Sequence, residues 1–330
     1  MNNLRLCAAA ILVCAVLFGC GETKEVTLYL QGLQVRGPAM NPPVHITQNP
    51  EGNEVHIIPR FSVGSTQTMS GRIQGHTKVN RNGVFRVDTV FRSDSGVVFQ
   101  DRGNVNVNPF DGKNLTRKFP SYSVGADIDV GLSKVWALSF GTLYSSMDGQ
   151  GLWSYRAGLG IRSHKGSMGF RIEFGWQWEE FVYEAYTVVT ERPLSSSVST
   201  VSFYRDEAKK TFGRFYGSLV LNTVRDNWPV NLFFQVALTG QKLDEIQPRV
   251  LQEQLWVIPP FFIVPAEQNL VHDLRGSFSS TFVHVSPGLF INLDENVRVL
   301  TGVRISFETE IDDRSNATIV APFVQIDLRL

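Results

Sequence analysis

The chain has 330 residues, and its 31 basic and 31 acidic side chains leave no formal net charge. This balance gives no support for a nucleic-acid partner, which would favour a basic surface. An aromatic content of 11% with 28 glycines and only 19% charged residues is unusual for a soluble α/β enzyme. It is typical of a β-barrel with an apolar outside and a polar inside.

The first twenty residues have the order of a secretory signal. Arg5 precedes the apolar run 6–18, which is too short to cross a bilayer as a helix. The sequence Leu-Phe-Gly-Cys at 17–20 resembles the bacterial lipobox, in which the cysteine becomes the new amino terminus and carries acyl chains such as palmitate. We predict a signal peptide at 1–19 and a lipid on Cys20. An ordinary signal peptide cleaved nearby is the alternative.

The mature chain keeps a single cysteine, because Cys7 and Cys14 fall within the signal. If Cys20 is lipidated, neither a disulfide nor a cysteine metal site is available. No phosphate-binding or dinucleotide motif is present, so we expect no cofactor and no metal. Residues 20–53 are rich in proline, and we interpret them as a lipidated periplasmic linker in front of the barrel at 54–330.

The main signal in the rest of the chain is a period of two, which is the period of a β-strand with two different faces. In the first segment Val55, Ile57 and Phe61 alternate with polar or small residues. Arg81-Asn82-Gly83 reads as a tight hairpin turn. No segment has a convincing helical period.

Nine such strands follow between about residue 119 and Leu330. Most of these segments are about 10 to 13 residues long, which suits a tilted crossing of a bilayer better than a globular sheet. Short and long connections alternate between them, as they do in outer-membrane barrels with short periplasmic turns. The sequence thus predicts an all-β, transmembrane, antiparallel up-and-down barrel with a periplasmic carboxyl terminus.

The strand count depends on the region before residue 119. Adding the segments 55–64, 69–79 and 84–92 gives about twelve strands, and an even number is needed if both ends lie on one side. The alternative is ten strands, with only 84–92 inserted.

Aromatic residues fall near the predicted strand ends, where amphipathic rings prefer the lipid headgroup level. The predicted outer level contains Tyr122, Tyr144, Trp153, Tyr155, Trp176, Trp178 and Tyr183. The predicted inner level contains Trp136 and Trp228. A general preference of aromatic residues for strands is the alternative explanation.

The lipobox, the alternating strands and the final strand 321–330 together resemble a bacterial outer-membrane β-barrel protein. That strand ends in Val324, Ile326, Leu328 and Leu330 at alternate positions, with Leu330 where an aromatic residue is usual. The resemblance implies an outer-membrane location, contact with outer-membrane lipid and insertion by the barrel-assembly machinery. It indicates no particular substrate.

Charged residues of both signs lie on the predicted inner face. The candidates are Arg86, Asp88, Asp127, Asp129, Arg156, Arg162, Arg171, Glu173, Arg214, Arg298, Arg304 and Asp327. Charges in a confined interior need partners or water. They indicate either a structural network of salt bridges or a narrow, porin-like polar pore.

The long connection 241–278 contains an unusual apolar stretch, 255–265, with Trp256, Phe261 and Phe262. Such a surface should be covered. We expect it to plug the barrel mouth, rest on lipid, dock a protein partner or simply pack on neighbouring loops.

Two other classes remain open. One is a rim-located hydrolase or acyl-chain enzyme using His284 and Ser286, although no spacing implies a nucleophile with its base. The other is a soluble periplasmic β-sandwich lipoprotein that binds a ligand or a partner.

Overall fold

The fold comes from a computed structural model, which describes most of residues 21–330. The described residues are 21–38, 41–64, 67–71, 73, 78–86, 90–93, 98–101, 115–195, 197, 200–225, 229–246, 250–258, 262–269, 276–309 and 318–330.

The described residues form eighteen β-strands, and no helix among them is long and apolar enough to cross a membrane. In chain order the strands are β1 (Gly21–Arg36), β2 (Val55–Val63), β3 (Gln67–Gly71), β4 (Lys78–Arg86), β5 (Val90–Ser93), β6 (Val98–Asp101), β7 (Leu115–Phe119), β8 (Tyr122–Gly131), β9 (Trp136–Met147), β10 (Gln150–Lys165), β11 (Met168–Pro193), β12 (Thr200–Thr223), β13 (Val230–Ile246), β14 (Val250–Ile258), β15 (Phe262–Asn269), β16 (Gly276–Asn292), β17 (Val297–Glu308) and β18 (Thr318–Arg329).

Ten of these strands close into an antiparallel barrel. β2 is followed around the ring by β8 to β13 and β16 to β18, and β18 pairs back onto β2. The predicted barrel and its nine strands from about residue 119 are confirmed, and the β-sandwich alternative is wrong, because the sheet closes on itself.

The predicted count of twelve is wrong, and the alternative of ten is right in number only. The strand inserted before β8 is β2, whereas we expected 84–92. β3 pairs with β7, β4 pairs with β1, and β5 joins a separate sheet. A period of two marks a strand with two unlike faces but does not say which sheet it joins.

β11 and β12 are about twice as long as a bilayer crossing requires, with 26 and 24 residues. They stay paired from Met168↔Thr223 to Glu191↔Thr200, so they rise as a tall hairpin from the end opposite the short turns. β1 pairs along the upper half of β11, from Lys24↔Pro193 to Arg36↔Val182.

Within the long connection 241–278, β14 and β15 form a hairpin, and β5 pairs with β14 to complete a three-stranded sheet. This sheet has no strand pairing with the barrel in the described part of the chain. The apolar segment is thus built largely into a small sheet of its own.

After β1 the chain turns into the barrel and crosses its interior. Residues 41–47 are all buried, and at the far end the N–H of Asn53 donates to Gly131 O at 2.7 Å before β2 begins. The interpretation of 20–53 as a linker therefore needs correction for the described residues, since 21–36 form a strand and 41–48 fill the lumen. The prolines at 42 and 43 suit an extended segment that donates no ladder hydrogen bonds there.

The outer face of the barrel carries an apolar belt. On β11 this belt runs from Met168 through Phe174 to Trp178, and the next outward residue, Glu180, pairs with Lys209 at 2.6 Å. Between its lower and upper limits, the outward positions of the described barrel strands carry no Asp, Glu, Lys or Arg. A ten-residue rise at about 3.3 Å per residue and a tilt of about 40° gives a belt about 25 Å high.

The aromatic levels are placed largely as predicted. The outward-facing and exposed residues among them are Tyr122, Trp153, Tyr155, Trp176 and Trp178 at the upper level and Trp136 at the lower level. Tyr183 is a correction, because it is only 2% exposed and lies above the belt on the inward face. Trp228 lies outside the described residues.

Candidate functional site: the occupied barrel interior

The segment 41–48, which we call the plug, is held by barrel side chains that bind its backbone. The N–H of Val44 donates to Gln325 Oε1 at 3.2 Å, and Gln325 Nε2 donates back to Val44 O. The N–H of Thr47 donates to Asn222 Oδ1 at 3.1 Å, and Asn222 Nδ2 donates to Thr47 O at 3.0 Å. Each amide side chain therefore satisfies both backbone groups of one residue, as a neighbouring strand would.

Consecutive carbonyls at the start of the plug also have donors. The three bonds run from Arg60 to Asn41 O, from Arg304 to Pro42 O at 2.6 Å and from Gln235 to Pro43 O at 2.5 Å. A prolyl residue offers a carbonyl but no N–H. Cationic and amide donors therefore match what this part of the plug presents.

The plug has two unlike faces. Val44 and Ile46 pack into an apolar cluster with Val220, Phe233, Phe290, Leu300 and Phe323. His45 lies between them and turns the other way, where its Nδ1 is 2.6 Å from Glu173 Oε2. This is the alternation of an extended chain, with a greasy wall on one side of the lumen and a charged wall on the other.

Glu173 is the centre of the charged wall. Besides His45, its carboxylate accepts hydrogen bonds from Ser139 Oγ, Tyr216 Oη and Arg171 Nη2, each at 2.7 Å. Arg171 in turn donates to both oxygens of Asp129, at 2.6 and 2.7 Å. A buried carboxylate is tolerated when it is paired and fully hydrogen-bonded.

A second group of charges surrounds Asp127, which has no exposed surface. Arg60 Nε and Arg156 Nη2 each lie 2.7 Å from its carboxylate oxygens. Arg304 is different, because the acceptors that it reaches are neutral: Asn41 Oδ1, Pro42 O and Ser286 Oγ. Two of those three acceptors belong to the plug.

At the short-turn end, ion pairs surround the place where the plug leaves the lumen. Arg162 pairs with Glu54, and Asp327 accepts from His56 Nδ1 at 2.7 Å and from Arg298 Nη1 at 2.9 Å. An open polar cavity of about 580 Å³ lies beside them, with Gln48, Asn49, Asn292, Asp294 and Arg329 among its lining residues.

At the opposite mouth, Arg36 at the end of β1 reaches three carboxylates, those of Asp148, Glu184 and Glu207. Burial alone would raise the pKa of Glu184, but the hydrogen bond from Tyr186 and the charges of Arg36 and Arg205 outweigh it and lower the pKa. Burial and the bond to Glu184 raise the pKa of Tyr186 to about 12. Glu184 therefore stays ionised down to below its usual value of 4.5, so the ion pair that holds β1 at the mouth weakens only in acid.

The two residues considered for catalysis are bonded to different partners. His284 has no exposed surface, and its ring nitrogens lie 2.6 Å from Thr239 Oγ1 and 2.7 Å from Ser306 Oγ. Ser286 accepts from Arg304. These contacts tie each side chain to a structural partner and do not form a nucleophile with its base.

Most of the predicted lumen residues are placed on the inner face. Those that are buried or half-buried there are Asp127, Asp129, Arg156, Arg162, Arg171, Glu173, Arg214, Arg298, Arg304 and Asp327. Arg86 is a correction, because it ends β4, which pairs with β1 away from the barrel. Asp88 lies outside the described residues.

The apolar segment of the long loop is described in part, and its role as a plug or docking site stays a prediction. Trp256 lies on β14 opposite Val264, and Phe262 begins β15, both in the separate three-stranded sheet. Phe261 lies outside the described residues. The segment that fills the lumen is 41–48.

Sequence reasoning missed the plug and several residues that bind it, namely Arg60, Asn222, Gln235 and Gln325. One signal was present: Val44-His45-Ile46 is a short apolar–polar–apolar alternation, but the surrounding prolines favour a loop. The amide side chains at inward positions are neutral, so the sequence did not distinguish them from other polar residues that face the lumen.

No protein-family model and no curated protein matches the chain. Among solved structures it is similar to the outer membrane protease OmpT from Escherichia coli, with 8% identity, 94% of each chain covered and a TM-score of 0.29. It is also similar to the translocator domain of autotransporter NalP from Neisseria meningitidis, with 11% identity, 99% of this chain and 96% of that chain covered and a TM-score of 0.30. The toluene transporter TbuX of Ralstonia pickettii matches at 9% identity and a TM-score of 0.19, over 94% of this chain and 89% of that chain. At these scores the matches carry no argument about activity.

The packing around Asp127 predicts a strong effect of one added methyl group. A Cβ at position 141 would overlap Asp127 Oδ1 and crowd Arg156. We expect Gly141→Ala to push the carboxylate out of its ion pairs and to destabilise the barrel by about 1–3 kcal/mol. The measurement is the temperature at which the folded band is lost in a heat-modifiability gel.

Gly217→Ala is the matched control, since its Cβ would meet only ordinary contacts, the nearest being Phe174 Cδ1 at 3.6 Å. Equal melting temperatures for the two variants would contradict the tight packing of the network.

Proposed function

We propose that this protein is an outer-membrane β-barrel lipoprotein whose lumen is closed by its own N-terminal segment, and that it serves as a scaffold presenting a tall β-sheet outside the cell. The observation that carries the proposal is the plug, which crosses the lumen and is bonded to the barrel at Asn41, Pro42, Pro43, Val44 and Thr47.

The outer face supports a membrane location. Its apolar belt has about the height of the lipid-facing band of an outer-membrane barrel, and aromatic residues stand at its edges. Residues such as Phe140 and Ile128 are nearly half exposed, at 48% and 46%. A belt of this kind around a whole barrel is costly in water and is stable in hydrocarbon.

The interior supports a closed state. Charges that would line a pore, such as Glu173 and Arg304, are bonded to other charges or to the plug. The greasy wall of the lumen is covered by Val44 and Ile46. This arrangement favours a structural network over the open-pore hypothesis.

The lengths of the turns indicate which end of the barrel faces the periplasm. If the short turns and Leu330 face the periplasm, as in outer-membrane barrels generally, then β1 and the tall hairpin of β11 and β12 lie outside. Lys24, near the start of β1, pairs with Pro193 far above the belt, so a lipid on Cys20 would also emerge on the outer side. Lipidation itself remains a prediction of the lipobox.

Arginine substitutions on the belt test the membrane location. Phe140 lies midway along β9, while Trp136 begins that strand at the lower edge. We expect Phe140→Arg to cost about 2–4 kcal/mol of folding free energy in lipid and Trp136→Arg about 0–1 kcal/mol, because the cost of a charge depends on depth. Unfolding titrations of the two variants in vesicles measure this difference. Equal costs, or a protein without Cys20 that is soluble and monomeric without detergent, would exclude the membrane assignment.

Planar-bilayer recording tests the closed lumen. The wild-type protein should give no reproducible conductance steps, because the plug is buried in the lumen and bonded to its walls. Replacing 41–47 by a Gly/Ser sequence of equal length removes the contacts of Val44, His45 and Ile46 with the two walls. It also removes the prolines that fix the extended backbone, so it should produce steps. A Gly/Ser replacement of 194–197 at the hairpin tip is the control and should stay silent. Steady steps from the wild type would overturn the closed state.

Thiol labelling of intact cells tests which end faces outward. Tyr29 on β1 is 38% exposed, and Lys134 lies in an exposed short turn. A membrane-impermeant maleimide should label Tyr29→Cys on intact cells and Lys134→Cys only after the outer membrane is permeabilised. The reverse pattern would contradict the proposed display of β1.

A further inference from the structure

The lumen binds the plug through the backbone rather than as part of the sheet. Plug residues 41–44 and 47 have N–H or C=O groups bonded to barrel side chains, and the two amides of Gln325 and Asn222 each bind donor and acceptor of one residue. The plug is therefore a bound peptide that happens to be covalently attached. We propose that the lumen is a binding site for an extended peptide and that it accepts such a peptide supplied in trans when 41–47 is withdrawn. This inference rests on the closed barrel proposed above.

The walls define the chemical class of the ligand. Arg60, Arg304 and Gln235 offer donors to three successive carbonyls, which suits prolyl residues that have no N–H. Beyond them, the greasy wall takes two apolar side chains at alternate positions. Between those positions, Glu173 accepts a hydrogen bond from the basic side chain of the plug. The expected ligand is an extended peptide with the pattern Pro-Pro-apolar-basic-apolar.

Loss of the plug leaves a buried cation without its acceptors, and this favours the binding of another peptide in the lumen. Without the plug, Arg304 loses Asn41 Oδ1 and Pro42 O and keeps the hydroxyl of Ser286. A buried cation that has lost its acceptors is unfavourable until water or another carbonyl replaces them. The walls that bind the ligand stay in place, because they lie on barrel strands rather than on loops.

The bond from Arg162 Nη2 to Glu51 O at 2.6 Å and the pair of Arg329 with Glu51 are among the contacts that hold the chain on either side of the plug. Gly37 N donates to Lys118 O at 3.1 Å above it, and Asn53 N donates to Gly131 O below it. Residues 51–53 form an exposed turn outside the lumen. Cutting the chain in this turn would leave the plug joined to β1, and both would be held to the barrel only by non-covalent contacts.

The test uses the full chain with 41–47 replaced by Gly/Ser, inserted in lipid nanodiscs, and a fluorescent synthetic peptide with the sequence of residues 41–49. We expect saturable binding by fluorescence anisotropy, and we expect the same peptide to block the conductance of this variant. A peptide with His45→Glu places a carboxylate against Glu173 and should bind at least tenfold more weakly. N-methylation of its Val44 removes the donor to Gln325 and should also weaken binding. A scrambled peptide of equal composition is the control.

A second protein covers the case in which the Gly/Ser variant does not fold. A protease site placed at 51–53 of the otherwise wild-type chain is cut after folding, and excess labelled peptide 41–49 is then added. Exchange into the cut protein but not into the uncut protein would support the inference.

The outcomes are separable. If the Gly/Ser variant conducts and neither protein takes up the peptide, or if the scrambled peptide binds equally well, the peptide site is wrong while the closed barrel stands. If the uncut wild type conducts like the variant, the closed barrel itself is wrong.

Discussion

The rest of this structure depends on the contact between one extended segment and the inside of a closed sheet. A ten-stranded barrel has no bulk solvent in a filled lumen, so each buried charge or amide needs a protein partner. The plug supplies such partners on two walls at once. It gives carbonyls to Arg60 and Arg304 and a ring nitrogen to Glu173, while Val44 covers the apolar wall. The packing of the inner wall therefore depends on the plug.

The plug is bound at the seam where the first and last barrel strands pair. Arg60 on β2 and Gln325 on β18 are opposite one another across the seam between the first and last barrel strands, and both bind plug backbone. The plug also enters β2 through the short turn 49–54. Closing the ring and fixing the plug thus use the same residues. Because the plug crosses the lumen, the N-terminal strand β1 lies at the end of the barrel opposite Leu330.

The barrel was predictable from the sequence because its strands have two unlike faces over ten or more residues. The segments around Trp136, Tyr155 and Phe174 show that alternation clearly, and they lie in the ring. The strands before residue 119 were not assignable, because β3 and β4 have the same period but pair elsewhere. A strand's pattern reports its two environments, and pairing partners far apart in sequence leave no mark on it.

The sequence predicted the charged residues of the barrel interior but did not predict that the plug fills it. Asp127, Asp129 and Glu173 belong to the inner face by parity alone, whereas the plug has no long alternation and two prolines, the features of a linker. The deeper reason is that the plug bonds to side chains and not to a neighbouring strand, so it needs no strand-like pattern of its own. The amide side chains of the lumen wall bond the backbone groups of the plug and so hold it in an extended conformation. The prolines that obscure the plug in the sequence also make it a suitable occupant, because they fix the extended backbone before it binds.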